Sequence, residues 1–129
     1  MTRGRTPQSP LGITLDAQDA PALARFYRDL LGWELVEDTA PWCTLQAAGS
    51  PLTLAVKEEP LHQRPAWPAE PGAQQMQAHL EVPVDDLPGA VQDALALGAE
   101  LPDHQPQDHV RVLLDPAGHP FCLYTERPS

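Results

Sequence analysis

Gly12-Ile13-Thr14-Leu15-Asp16-Ala17-Gln18-Asp19-Ala20-Pro21 and His79-Leu80-Glu81-Val82-Pro83-Val84-Asp85-Asp86-Leu87-Pro88 carry the same instruction twice. In each, side chains alternate with a period of two, which is the pattern of a strand with two different faces. An aspartate follows, with a proline soon after it. The aspartate is a helix N-cap, accepting from first-turn amides, and proline is tolerated there because its missing N–H has no partner to lose. Asp19 and Asp86 stand 86 − 19 = 67 residues apart. A strand running into a capped helix, repeated at that distance, predicts two similar modules.

The rest of each module repeats too. After the caps, Leu23, Phe26, Leu30 and Leu31 fall on one helical face, with Arg25, Arg28 and Asp29 pointing away; Leu87, Val91, Ala94 and Leu95 form the second stripe. Gly32 and Gly98 follow as stop signals. Gly49-Ser50-Pro51-Leu52-Thr53-Leu54 aligns with Gly118-His119-Pro120-Phe121-Cys122-Leu123 at a spacing of 118 − 49 = 69. Each module therefore reads β-α-β-β-β, an α+β fold class. Residues 1–10 read as a flexible N-terminal arm and 11–126 as one domain. Module one spans 11–59, module two 78–126, and the proline-rich stretch 60–77 is the linker.

A chain of 129 residues, 42% hydrophobic, suits one domain with its own core. Acidic residues outnumber basic ones 18 to 8, so the surface repels phosphate backbones and nucleic acid is not an expected partner. No apolar run approaches the roughly 20 residues that span a bilayer, and Met1 to Pro10 is polar, so the expected location is cytoplasmic, with no membrane partner. Two cysteines, Cys43 and Cys122, are too few for a disulfide framework.

Phe26-Tyr27, Leu30-Leu31-Gly32-Trp33-Glu34-Leu35, His79 to Asp86, Leu97-Gly98-Ala99 and Asp115-Pro116-Ala117-Gly118-His119-Pro120-Phe121-Cys122-Leu123 resemble the glyoxalase/bleomycin-resistance/dioxygenase (vicinal oxygen chelate) superfamily. The resemblance covers roughly Leu11 to Thr125. It implies paired βαβββ modules forming a curved mixed sheet, with helices on the outer face. Metal-dependent relatives place one ligand on the first and one on the last strand of each module. Those slots map to Gly12, Thr53, His79 and Cys122, and only His79 is an unmistakable ligand. First-row ions want three or four His, carboxylate or thiolate donors, so no metal and no other cofactor is expected.

Strand alternation sends Ile13, Leu15, Leu54, Val56, Leu80, Val82, Phe121 and Leu123 toward the helices. The opposite face then carries Thr14, Asp16, Thr53, His79, Glu81, Cys122 and Tyr124. Applying the 69-residue offset pairs Trp42 with Arg111 on that open face and Cys43 with Val112 on the helix face. The predicted ligand-binding set is Thr14, Asp16, Trp42, Thr53, His79, Glu81, Arg111, Cys122 and Tyr124. His79, Glu81 and Cys122 are the candidate catalytic residues. Imidazole titrates near neutrality, Glu81 shares its side of the strand, and an imidazolium lowers a neighbouring thiol pKa. Each also has a plain reading, as a hydrogen-bonding residue, a solvated rim carboxylate and a small buried hydrophobe respectively. Trp33 reads as core, and Trp67 sits in the linker.

Three functions stay open: a protein holding a small organic molecule without metal, a metal-dependent lyase or dioxygenase of the glyoxalase type, and a metal-free enzyme using His79 with Glu81 or Cys122. A homodimer is expected, because relatives often pair modules across chains and open sheet edges need cover.

Overall fold

The computed structural model describes residues 1–126. The chain forms two compact units that divide after His62. In the first, β1 (Leu11–Ala17) leads into α1 (Ala20–Leu31), then β2 (Glu34–Thr39), β3 (Trp42–Gln46) and β4 (Leu52–Glu58). The sheet order is β1-β4-β3-β2, with β1 and β4 parallel and the other neighbours antiparallel. Asp19 caps α1 by accepting from the Ala22 amide at 3.1 Å, and Gly32 ends it in the left-handed conformation at φ 71°. Ala20, Leu23, Ala24, Phe26 and Tyr27 are the buried face. Tyr27 is wholly buried and meets the Phe26 ring edge-on at 5.0 Å; Leu30 and Leu31, assigned to the core stripe by periodicity, are only half-buried.

The second unit repeats the plan with β5 (Leu80–Pro83), α2 (Leu87–Ala96), β6 (Val110–Leu114) and β7 (Pro120–Tyr124), in the order β5-β7-β6. Asp86 caps α2 through the Gly89 amide at 3.1 Å. The α+β architecture of paired modules is present, expressed as two mixed sheets, one per unit.

Module two's second strand is reduced to one antiparallel bridge between Glu100 and Leu114. Pro102 and Pro106 follow it, and a residue without an N–H cannot extend a ladder. A side chain takes over instead. The Gln105 amide donates to the Val112 carbonyl and accepts from the Val112 N–H, both at 2.9 Å, which is the reciprocal pair a strand residue would have made. Glutamine can do this because its amide carries both a donor and an acceptor.

The proline-rich stretch from Gln63 on folds with the second unit: Ala66 bridges Gln75, and the Trp67 indole donates to the His104 carbonyl at 3.1 Å. The Asp115-Pro116-Ala117-Gly118 stretch is a turn, as expected. Asp115 is buried, and its carboxylate accepts from the Ala117 and His119 amides at 2.9 and 3.0 Å.

Register settles which residues share a face. In the first unit each β1 residue pairs with the β4 residue 41 positions on, Leu11 with Leu52; in the second, Leu80 pairs with Phe121, again 41. The first and last strands of the two modules therefore match at 67 throughout, and the counterpart of Cys122 is Ala55, not Thr53. That error is of two residues, so the face assignment survives. On β3 and β6 the slip is odd. Leu45 pairs with Leu54 and Leu113 with Phe121, which makes Leu113 the counterpart of Leu45, 68 positions on and not 69. One residue of slip turns every side chain over. Arg111 is thus opposite Leu123, on the side of the fully buried Leu113 and Phe121, and the expectation that it shares the open face is overturned. Val112 lies opposite Cys122 instead.

Candidate functional site

On the first module, cross-strand pairs Gly12–Thr53, Thr14–Ala55 and Asp16–Lys57 define one face of β1 and β4, which β3 continues with Trp42 opposite Lys57 and Thr44 opposite Ala55. Thr14, Asp16 and Thr53 are on it, as the alternation predicts, and so is Trp42, which the 69-residue offset had placed there. Trp42 is 39% exposed, and its indole donates to the Thr44 hydroxyl at 3.1 Å. That hydroxyl donates in turn to Glu37 at 3.2 Å. Sequence reasoning left out Thr44 and Glu37. Thr44 was legible from alternation with Trp42, whereas Glu37 needed the register across the β2 bulge between Leu35 and Glu37.

On the second module, Glu81 pairs with Cys122 and Pro83 with Tyr124, so Glu81, Cys122 and Tyr124 share a side. His79 lies one residue before β5, two before Glu81, and its Nε2 is 3.6 Å from a Glu81 carboxylate oxygen. One donor atom each from His79, Glu81 and Cys122 falls within 4.8 Å of the others. Cys122 is the buried floor at 8% exposure, and the other two are exposed around it. Arg111 is absent from this cluster. Its guanidinium donates to the backbone carbonyls of Gln107, Asp108 and Val110 at 3.0, 3.2 and 2.8 Å, pinning the loop that enters β6.

Burial, and then the nearby Glu81 carboxylate, push the Cys122 thiol pKa up. A raised pKa keeps the sulfur protonated near neutrality, which argues against Cys122 as an unaided nucleophile. Burial, followed by the Asp38 carboxylate, likewise raises the Cys43 thiol. Cys43 pairs with Val56 on the helix-covered side of its sheet, as expected, and both cysteines are free thiols.

The four-slot metal centre that the resemblance implies does not fit. Gly12 has no side chain, and a Cβ placed there would meet the Thr53 hydroxyl at 3.0 Å. No histidine or carboxylate stands at either slot of the first module. His62, His104, His109 and His119 form no further cluster: the His79–Glu81–Cys122 group is the one set of three such donors among the described residues.

The sequence matches the glyoxalase-like domain over residues 12–124, and the chain belongs to that family. No curated protein matches it. Among solved structures, a glyoxalase/bleomycin resistance protein/dioxygenase family enzyme from Burkholderia phytofirmans PsJN is similar with a TM-score of 0.65 at 17% identity, covering 88% of this chain and 95% of its own. The genomically encoded fosfomycin resistance protein of Listeria monocytogenes gives 0.67 at 17% identity, over 98% and 96%. TnmS3, an antibiotic binding protein from Streptomyces sp. CB03234, gives 0.59 at 15% identity, over 98% and 100%. At such identities these likenesses concern the fold.

Proposed function

We propose that this glyoxalase-like protein binds a small organic molecule on the polar face of its sheets, without metal. The observation that carries the reading is the His79–Glu81–Cys122 cluster, a buried floor with two exposed polar groups around it. Tyr124 on the same side adds aromatic contact area. His79 and Glu81 supply directional hydrogen bonds, which is how pockets fix the orientation of a mostly apolar ligand. The first module offers Thr14, Asp16, Thr53 and the braced Trp42 ring as its own polar face, with Trp42 suited to stacking on a flat aromatic group. Neighbours described as an antibiotic binding protein and a fosfomycin resistance protein support a drug-like ligand.

Titration of the protein with aromatic antibiotics and aromatic acids, followed by tryptophan emission, tests this. His79→Ala should weaken binding several-fold, since one hydrogen bond is worth about 1 kcal/mol net. Trp42→Phe reports separately on the first module and should remove most of the quenching. A ligand whose affinity ignores both substitutions would place the site elsewhere. The same reading includes a cytoplasmic homodimer with no nucleic-acid or membrane partner; among the described residues no helix is long and apolar enough to cross a membrane. A monomeric mass by light scattering at micromolar concentration would exclude the dimer.

A further inference from the structure

Trp42 is the large aromatic side chain that the first module leaves open on its polar face. Its one hydrogen-bond donor is already used. The indole N–H donates to the Thr44 hydroxyl, and that hydroxyl donates in turn to a Glu37 carboxylate oxygen. We propose that Trp42 is the docking platform for an organic ammonium group, with Thr44 and Glu37 positioning and polarising the indole. The ligand is that of the small-molecule reading, on which this rests; what is added is its charge.

Two independent observations carry it. The first is the direction of the hydrogen bonds. Thr44 has a single hydroxyl hydrogen, committed to the carboxylate, so its oxygen meets the indole as an acceptor. A chain of hydrogen bonds that ends on a negative charge polarises each link and leaves more electron density on the ring. The face of an indole attracts a cation more strongly than any other aromatic side chain. With the N–H spent, a ligand over Trp42 meets that face and finds no donor on the ring. The second observation is the surrounding charge. Asp16, Glu34 and Glu37 stand on the same side as Trp42, through the cross-strand rows Asp16–Lys57–Trp42, Glu37–Thr44–Ala55 and Glu34–Gln46–Thr53. Lys57 is the one basic side chain among these strand residues, and its ammonium already has a carboxylate partner in Glu59 at 3.4 Å. On the second module, Glu81 is on the polar side, whereas Arg111 is turned to the buried side and spends its guanidinium on backbone carbonyls. An aromatic acid would face these carboxylates, and the guanidinium expected to receive it points the other way.

The test compares three probes of similar size on isotope-labelled, full-length protein: benzyltrimethylammonium, benzyl alcohol and phenylacetate. Amide shifts along β3 read the affinities. The ammonium should bind about two- to fivefold more tightly than the alcohol, the span expected of an exposed cation–π contact, and phenylacetate should bind most weakly. Added salt should shrink the gap between cation and anion. Trp42→Leu should remove the preference. Glu37→Gln keeps an acceptor for Thr44 but loses the charge, and it should bring ammonium and alcohol close together. Thr44→Val should do the same and shift the Trp42 indole N–H resonance, identified by its loss in Trp42→Leu; Thr44→Ser should restore both. Glu37 is exposed, so Glu37→Gln keeps the test decisive should Thr44→Val fail to fold. No binding of the ammonium, equal affinity for the three probes, a preference for phenylacetate, or a preference that survives Trp42→Leu or Glu37→Gln would overturn the assignment. Aromatic antibiotics that still quench tryptophan emission in that event leave the small-molecule reading standing, and only the cation falls. Absence of binding by probes and antibiotics alike removes both.

Discussion

The two modules share a backbone plan and differ in what they put on its polar face. In the first, β1 and β4 present Gly12, Thr14, Thr53 and Ala55 at successive cross-strand pairs, and the chemistry moves outward to Trp42, Thr44 and Glu37 on β3 and β2. In the second, the parallel pair itself carries Glu81 and Cys122, with His79 just ahead of it. The hydrophobic sides are alike, with Leu54 and Val56 answered by Phe121 and Leu123, all at most 3% exposed. A duplicated fold can thus keep its core constraints in both halves while only one half carries a donor cluster, because strand side chains on opposite faces are chosen independently.

The largest expected effects come from the shared part. Leu54→Ala and Phe121→Ala, at matching register positions, should each destabilise by about 2–5 kcal/mol, through lost transfer energy and the cavity left behind. Urea unfolding would measure both, and a small loss at only one would show that the two cores are not equivalent. Next comes Arg111→Ala. It removes charged hydrogen bonds to three backbone carbonyls and should cost about 1–3 kcal/mol of stability. Ligand affinity measured by tryptophan quenching should stay as in the wild type; a large drop would return Arg111 to the site and contradict the β6 register. Smallest are the two caps. Asp19→Ala and Asp86→Ala should each cost about 1 kcal/mol, since each carboxylate accepts one first-turn amide. Thermal melts that separate the two would mean that one helix start is held chiefly by its packing.

Much of this was legible in the residues. The repeated strand and cap, the glycines after the helices and the Asp115 turn all rest on local rules, and each appears where its pattern says. Tyr27 shows where periodicity stops helping: the stripe of Leu23, Phe26, Leu30 and Leu31 leaves it out, yet it is wholly buried with its ring edge-on to Phe26. On the polar face, the sequence named His79, Glu81 and Cys122 individually, by alternation along β5 and β7.

That Glu81 sits across from Cys122, that Arg111 faces the buried side, and that Gln105 substitutes for a missing strand were decided only by tertiary structure. The reason is the same in each case. Alternation fixes which residues of one strand share a face, but the pairing between strands depends on how many residues each connection takes up. A shift of two is invisible to the pattern, and a shift of one inverts it. The amino-acid sequence determined the modules, their caps and the side-chain types available for chemistry. Register across the sheet determined which of those side chains meet.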